Sequence, residues 1–112
     1  MDAPLQPLRV PSGWKIEFNS LFEIDPVPDL IPPDHHSWFF KEDLLQMKNE
    51  DRNRLLDVGW FPDGNLERGE YAVHIHEGDW HGCLLHEFRT QNRLSVVAEI
   101  ERLLVTITTG QL

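Results

Sequence analysis

Apolar and polar residues alternate with a period of two through most of the middle of this 112-residue chain and switch to a helical period near its end. Trp14, Ile16 and Phe18 alternate with Lys15, Glu17 and Asn19, which predicts a half-buried strand. Asp43 to Lys48 and Arg54 to Phe61 read as two further strands, joined by the polar hairpin loop Asn49-Glu50-Asp51-Arg52-Asn53. In the second of these, Leu56, Val58 and Trp60 fall on one face, and Leu55, Asp57, Gly59 and Phe61 on the other. Pro62-Asp63-Gly64-Asn65 stops that strand with turn chemistry. Tyr71, Val73 and Ile75 alternate with Ala72, His74 and His76 in another strand; Gly78-Asp79 begins a turn, and Cys83 to Arg89 follows as the last. From Asn92 onward, Leu94, Val97, Ile100, Leu104 and Ile107 recur at helical spacing, widened by Val96 and Leu103. Thr90 or Asn92 supplies the N-cap oxygen, and Gly110 suits the far end.

Prolines mark what is left. Pro4, Pro7 and Pro11 make residues 1–12 an extended N-terminal arm. Pro26, Pro28, Pro32 and Pro33 exclude a central strand or helix interior, because proline has no amide proton and fixes φ. Residues 25–40 therefore read as a proline-rich acidic loop, closed by a short turn at His36–Phe40. Strands in succession followed by one helix predict a single α+β domain over residues 1–112. Its expected form is an antiparallel four- to five-stranded sheet with one long C-terminal helix packed on one face. In the expected core, Leu94, Val97, Ile100 and Leu104 meet Leu56, Val58, Trp60, Val73 and Ile75.

Charge narrows the classes of partner. Ten Lys and Arg face 19 Asp and Glu, a net of −9 with a pI near 4.9. Nucleic-acid binding, which needs a basic footprint, is not expected. No run approaches the roughly 18 apolar residues of a membrane span, and Met1-Asp2-Ala3-Pro4 lacks the layout of a secretory signal, so a cytoplasmic protein with no membrane partner is expected. The acids are uneven: Glu23, Asp25, Asp29, Asp34, Glu42 and Asp43 stand against Lys41 alone, a local net of −5. Such a stretch is either a solvated loop or a docking surface for a basic partner.

Candidate chemistry is sparse. His74 and His76 leave the same face of a strand and have the spacing of a metal chelate, with His81 or His86 as a third ligand. A small metal-binding protein or metal-dependent enzyme built on His74 and His76 is thus the alternative reading. The cupin pattern fails, however, because Glu77 follows His76 directly, and no metal or other cofactor is expected. Ser12, Ser20, Ser37 and Ser95 lie in no nucleophile elbow, and no glycine-rich phosphate loop exists. Cys83, in the apolar run Cys83-Leu84-Leu85, is expected to be a buried, inert thiol. Asp57 interrupts an apolar strand on the face away from the helix, as a partner contact or paired with Arg54 or His74. Of Trp14, Trp38, Trp60 and Trp80, any left exposed beside acids is an interface candidate.

Several short motifs form one pattern: Val10-Pro11-Ser12-Gly13-Trp14, Phe22-Glu23-Ile24-Asp25-Pro26, Asp43-Leu44-Leu45-Gln46, Leu56-Asp57-Val58-Gly59-Trp60-Phe61-Pro62, Gly78-Asp79-Trp80 and Glu87-Phe88-Arg89-Thr90. Over about residues 9–107 the chain resembles the small acidic immunity proteins of bacterial polymorphic toxin and contact-dependent growth inhibition systems. The proline-rich loop and His74-x-His76 depart from that pattern. The resemblance implies no catalytic residues and a cognate protein toxin, commonly a basic nuclease domain, encoded by a neighbouring gene. Physics agrees with such a role: a nuclease holds a polyanion in a basic cleft, and an acidic inhibitor is steered into that cleft and occludes it. The expected toxin-facing residues are Asp25, Asp29, Asp34, Glu42, Asp43, Asp57, His74 and His76.

Overall fold

A computed structural model describes all of residues 1–112. Five strands follow one another as an antiparallel meander in the order β1-β2-β3-β4-β5: β1 Lys15–Asn19, β2 Leu45–Asn49, β3 Arg54–Phe61, β4 Glu70–Glu77 and β5 Leu84–Thr90. A one-turn helix, α1 His36–Phe39, precedes β2, and α2 Arg93–Thr108 closes the chain and packs on one face of the sheet. No helix is long and apolar enough to cross a membrane.

Register decides which side chains meet α2. Leu45, Val58, Val73 and Phe88 lie opposite one another across β2 to β5, and Met47, Leu56, Ile75 and His86 form the next row. Leu56, Val58, Trp60, Val73 and Ile75 are sealed in the core with Val96, Ile100, Leu103, Leu104 and Ile107 of α2. His86 Nε2 donates to Glu99 Oε2 at 2.7 Å, tying β5 to the helix. That contact and the stronger one from Arg102 hold the Glu99 carboxyl below its ordinary range. Asn92 is the N-cap, its side chain accepting from the Ser95 amide at 2.8 Å. At the far end Gly110 adopts φ +79° and Arg52, from the β2–β3 hairpin, donates to the Thr108 carbonyl.

Three expectations about packing are corrected. Leu94 is 66% exposed. At about 100° per residue it sits roughly 150° from the centre of the stripe made by Val96, Ile100, Leu103 and Ile107, so it points to solvent. Ile16 and Phe18 are exposed rather than half-buried: β1 is an edge strand, where Ile16 lies beyond the reach of α2 and a bulge turns Phe18 to the opposite face. The proline-rich segment is more than a solvated loop. It winds through two 3-10 turns, Pro28–Leu30 and Pro33–His35, and sends Ile31, Phe39 and Phe40 into the core. There the Phe40 ring meets Trp60 edge-on at 4.9 Å. The N-terminal arm docks on the start of the same segment, with the Gln6 amide donating to the Leu21 carbonyl and the Glu23 amide to the Pro4 carbonyl.

Candidate functional site: the open face of the sheet

The sheet face opposite α2 has no covering layer of secondary structure, yet its central strand is buried on both sides. Leu55, Asp57 and Gly59 of β3 all point to this face and are all nearly sealed. The main chain of Glu42 closes over Gly59, where a Cβ would stand 2.0 Å from the Glu42 carbonyl oxygen. Strand-pair register then draws one residue from each strand into a row across the molecule: Phe18, Gln46, Asp57, His74 and Glu87. A second row runs Lys15, Lys48, Leu55, His76 and Leu84.

Asp57 is the anomaly in the first row. It is 6% exposed, and its Oδ1 is sealed from solvent with no hydrogen-bond partner. Burial pushes its carboxyl up to about 6, against the pull of His74 and with a smaller push from Asp43. The cross-strand neighbour His74 does not bond to it. His74 Nε2 instead donates to Glu87 Oε2 at 2.7 Å, and that bond holds the Glu87 carboxyl below its ordinary range. Arg54, the other partner expected for Asp57, donates to the carbonyls of Arg52, Asn53 and Leu112.

Around the second row the surface is mixed. Trp80, on the β4–β5 turn, tilts over the His76 ring at 5.9 Å and remains exposed, as do Phe18 and Leu84. Lys48 donates to the Gly78 carbonyl. A groove of about 310 Å³ runs between Glu17 and Glu50 on one side and Asp79 and Trp80 on the other, floored by Gln46, Lys48 and Leu55.

Of the residues expected to face a toxin, Asp57, His74 and His76 share this surface, and Asp43 is near enough to act on the Asp57 carboxyl. Glu42 is exposed at its margin, over Gly59. Asp25 is elsewhere: it pairs with Arg93 at 2.8 Å, at the start of α2. Asp29 and Asp34 are exposed on the two 3-10 turns, with Asp34 Oδ1 bonded to His35 Nδ1 at 3.2 Å. The acidic stretch that is continuous in sequence is thus divided in space. Phe18, Gln46, Trp80 and Glu87 belong to the site although composition did not single them out as a set. The available signal was the strand alternation, read together with the registers of four strand pairs.

His86 cannot join His74 and His76, since it faces α2 on the other side of the sheet, and no three His, Cys, Asp or Glu side chains converge as a metal site. Cys83 is exposed, not buried, because it precedes the edge strand β5 outside the reach of the helix. Trp38, also exposed, lies apart with Lys41 Nζ 5.3 Å from its ring. Compared with protein-family models, curated proteins and solved structures, the chain matches none.

Proposed function

We propose that this chain is an immunity-type inhibitor that binds a basic protein toxin, of the nuclease class, in the cytoplasm and blocks access to its active-site cleft. The observation that carries the reading is the open sheet face. Exposed aromatic and aliphatic side chains, Phe18, Trp80 and Leu84, stand there beside Glu17, Glu50, Asp79 and Glu87 on a rigid five-stranded floor. Aromatic anchors within a charged rim are the make-up of a protein interface, and a net charge of −9 complements a cleft built to hold a polyanion. Such an inhibitor needs shape and charge but no chemistry of its own. The resemblance of its short motifs to immunity proteins points the same way.

The test is capture of the toxin domain encoded beside this chain, followed by titration of its nuclease activity. Activity falls to zero near one equivalent of inhibitor. Full activity at a large excess, with no complex on a sizing column, overturns the reading.

A further inference from the structure

We infer that Asp57 is the receptor for a single arginine side chain delivered by the partner, an inference that rests on reading the open face as a partner surface. An ionisable carboxylate buried without a hydrogen bond is costly, and buried polar groups in folded proteins are as a rule satisfied. The chain holds bases that could serve Asp57, but each is spent elsewhere. His74 is bonded to Glu87, Arg54 to three main-chain carbonyls and Lys48 to the Gly78 carbonyl. Arg89, the remaining base on this face of β5, lies 3.8 Å from Glu70 and 3.6 Å from Glu87. The free acceptor is therefore built into the centre of the sheet, with its potential partners turned away.

The surroundings select the cation. Asp57 stands in the row between the Gln46 amide and the His74 ring. Strand spacing of about 4.8 Å puts both neighbours within reach of one planar guanidinium at Asp57. Its five donors then serve the carboxylate and the Gln46 carbonyl together. A lysine ammonium is a compact, strongly hydrated charge and loses more on entering a nearly sealed site. Glu87 is two strand spacings away, about 10 Å, and is already held by His74 and Arg89, so the site takes one guanidinium, not two. Gln46, half-buried on the side away from the His74–Glu87 bond, is the neighbour left to accept from the entering guanidinium.

The test uses the full chain, labelled with carbon-13 at its carboxyls and nitrogen-15 at its amides, titrated with Gly-Arg-Gly and separately with Gly-Lys-Gly while the Asp57 carboxyl and the Gln46 and His74 amide resonances are followed by NMR. The expected result is a saturable shift with the arginine peptide and an affinity for the lysine peptide at least about fivefold weaker. Asp57→Asn, a near-isosteric change, abolishes the responses of the Gln46 and His74 amides. No shift of Asp57 at tens of millimolar peptide, equal responses to both peptides, or amide responses retained in Asp57→Asn overturns the inference. Toxin capture separates the two readings. Capture at unchanged affinity by Asp57→Asn removes the arginine anchor and leaves the inhibitor. Arginine-selective binding at Asp57 without any toxin complex does the reverse.

Discussion

Two buried polar atoms without partners, Asp57 Oδ1 and Tyr71 Oη, differ in what their removal should do. Tyr71 belongs to the aromatic corner of the core, its ring edge-on to Trp60 at 4.9 Å, and burial pushes its hydroxyl pKa up. Its ring supplies packing while its hydroxyl supplies only a desolvation cost. Tyr71→Phe is therefore expected to change stability by less than about 1 kcal/mol, in either direction, whereas Tyr71→Ala costs about 3–5 kcal/mol in urea denaturation. A large loss in Tyr71→Phe would mean that the hydroxyl is satisfied after all. Asp57 titrates, so its effect depends on pH. Its carboxyl moves from 3.8 to about 6 on folding, so below 3.8 both states hold the proton and the group is neutral to stability. As pH rises from there to about 6, the unfolded chain releases its proton first and the folded state loses stability, after which the penalty is constant. Asp57→Asn is consequently expected to match the parent near pH 3.5 and to exceed it by about 1–2 kcal/mol at pH 8. Equal stability of the two proteins across that range would show that the carboxylate is solvated. A residue that weakens the free protein is easier to understand when its partner arrives from outside.

Helix α2 separates what periodicity reveals from what it hides. Ile100 is sealed against the sheet and Leu94 faces solvent, although both fit a helical spacing of apolar residues. Ile100→Ala should cost about 2–5 kcal/mol and Leu94→Ala no more than about 0.5 kcal/mol, read from thermal or denaturant midpoints. Loss of the cap in Asn92→Ala should cost about 1 kcal/mol. Similar losses at positions 94 and 100 would place the helix in a different rotation. Local signals were enough to locate the elements: the bounds of β3 are those expected, α2 begins after its expected cap, and the alternation correctly divided β3 into a helix face and an open face. What local signals did not carry was anything set by distant parts of the chain. Phe18 and Ile16 alternate as a buried strand would, but only the sheet order shows that β1 is an edge. Ile31, Phe39 and Phe40 sit among prolines and acids and are buried because the segment folds back over the Trp60 corner. The row through Asp57 needs the register of four strand pairs at once, so a single strand pattern could place Asp57 on the open face but not identify its neighbours.

Across the whole molecule, charge acts over distances that contacts do not. The fold measures 42 × 24 × 21 Å, so its two short dimensions are no more than about three Debye lengths at physiological salt, where screening falls off over about 8 Å. Asp29 and Asp34 lie on the 3-10 turns, away from the open face, yet their field adds to that of the face when salt is low. Asp25 is unsuited to a test of that field because it pairs with Arg93, so its removal would change a contact as well as the charge. Asp29→Asn, Asp34→Asn and Glu42→Gln together change the net charge from −9 to −6 and alter only exposed carboxylates. Distant charges accelerate encounter, whereas a desolvated pair at the centre resists separation. Against the toxin proposed as its partner, the triple variant should therefore associate several-fold more slowly at low salt, with a flatter dependence of rate on ionic strength and an unchanged dissociation rate. Asp57→Asn should do the opposite, dissociating faster at every salt concentration, by an amount corresponding to about 2–5 kcal/mol if its arginine stays buried and unpaired. Surface plasmon resonance at three ionic strengths distinguishes the two. Association rates identical to the parent at all three would mean that the acids at the margin of the open face and beyond it have no part in guiding the protein to a partner.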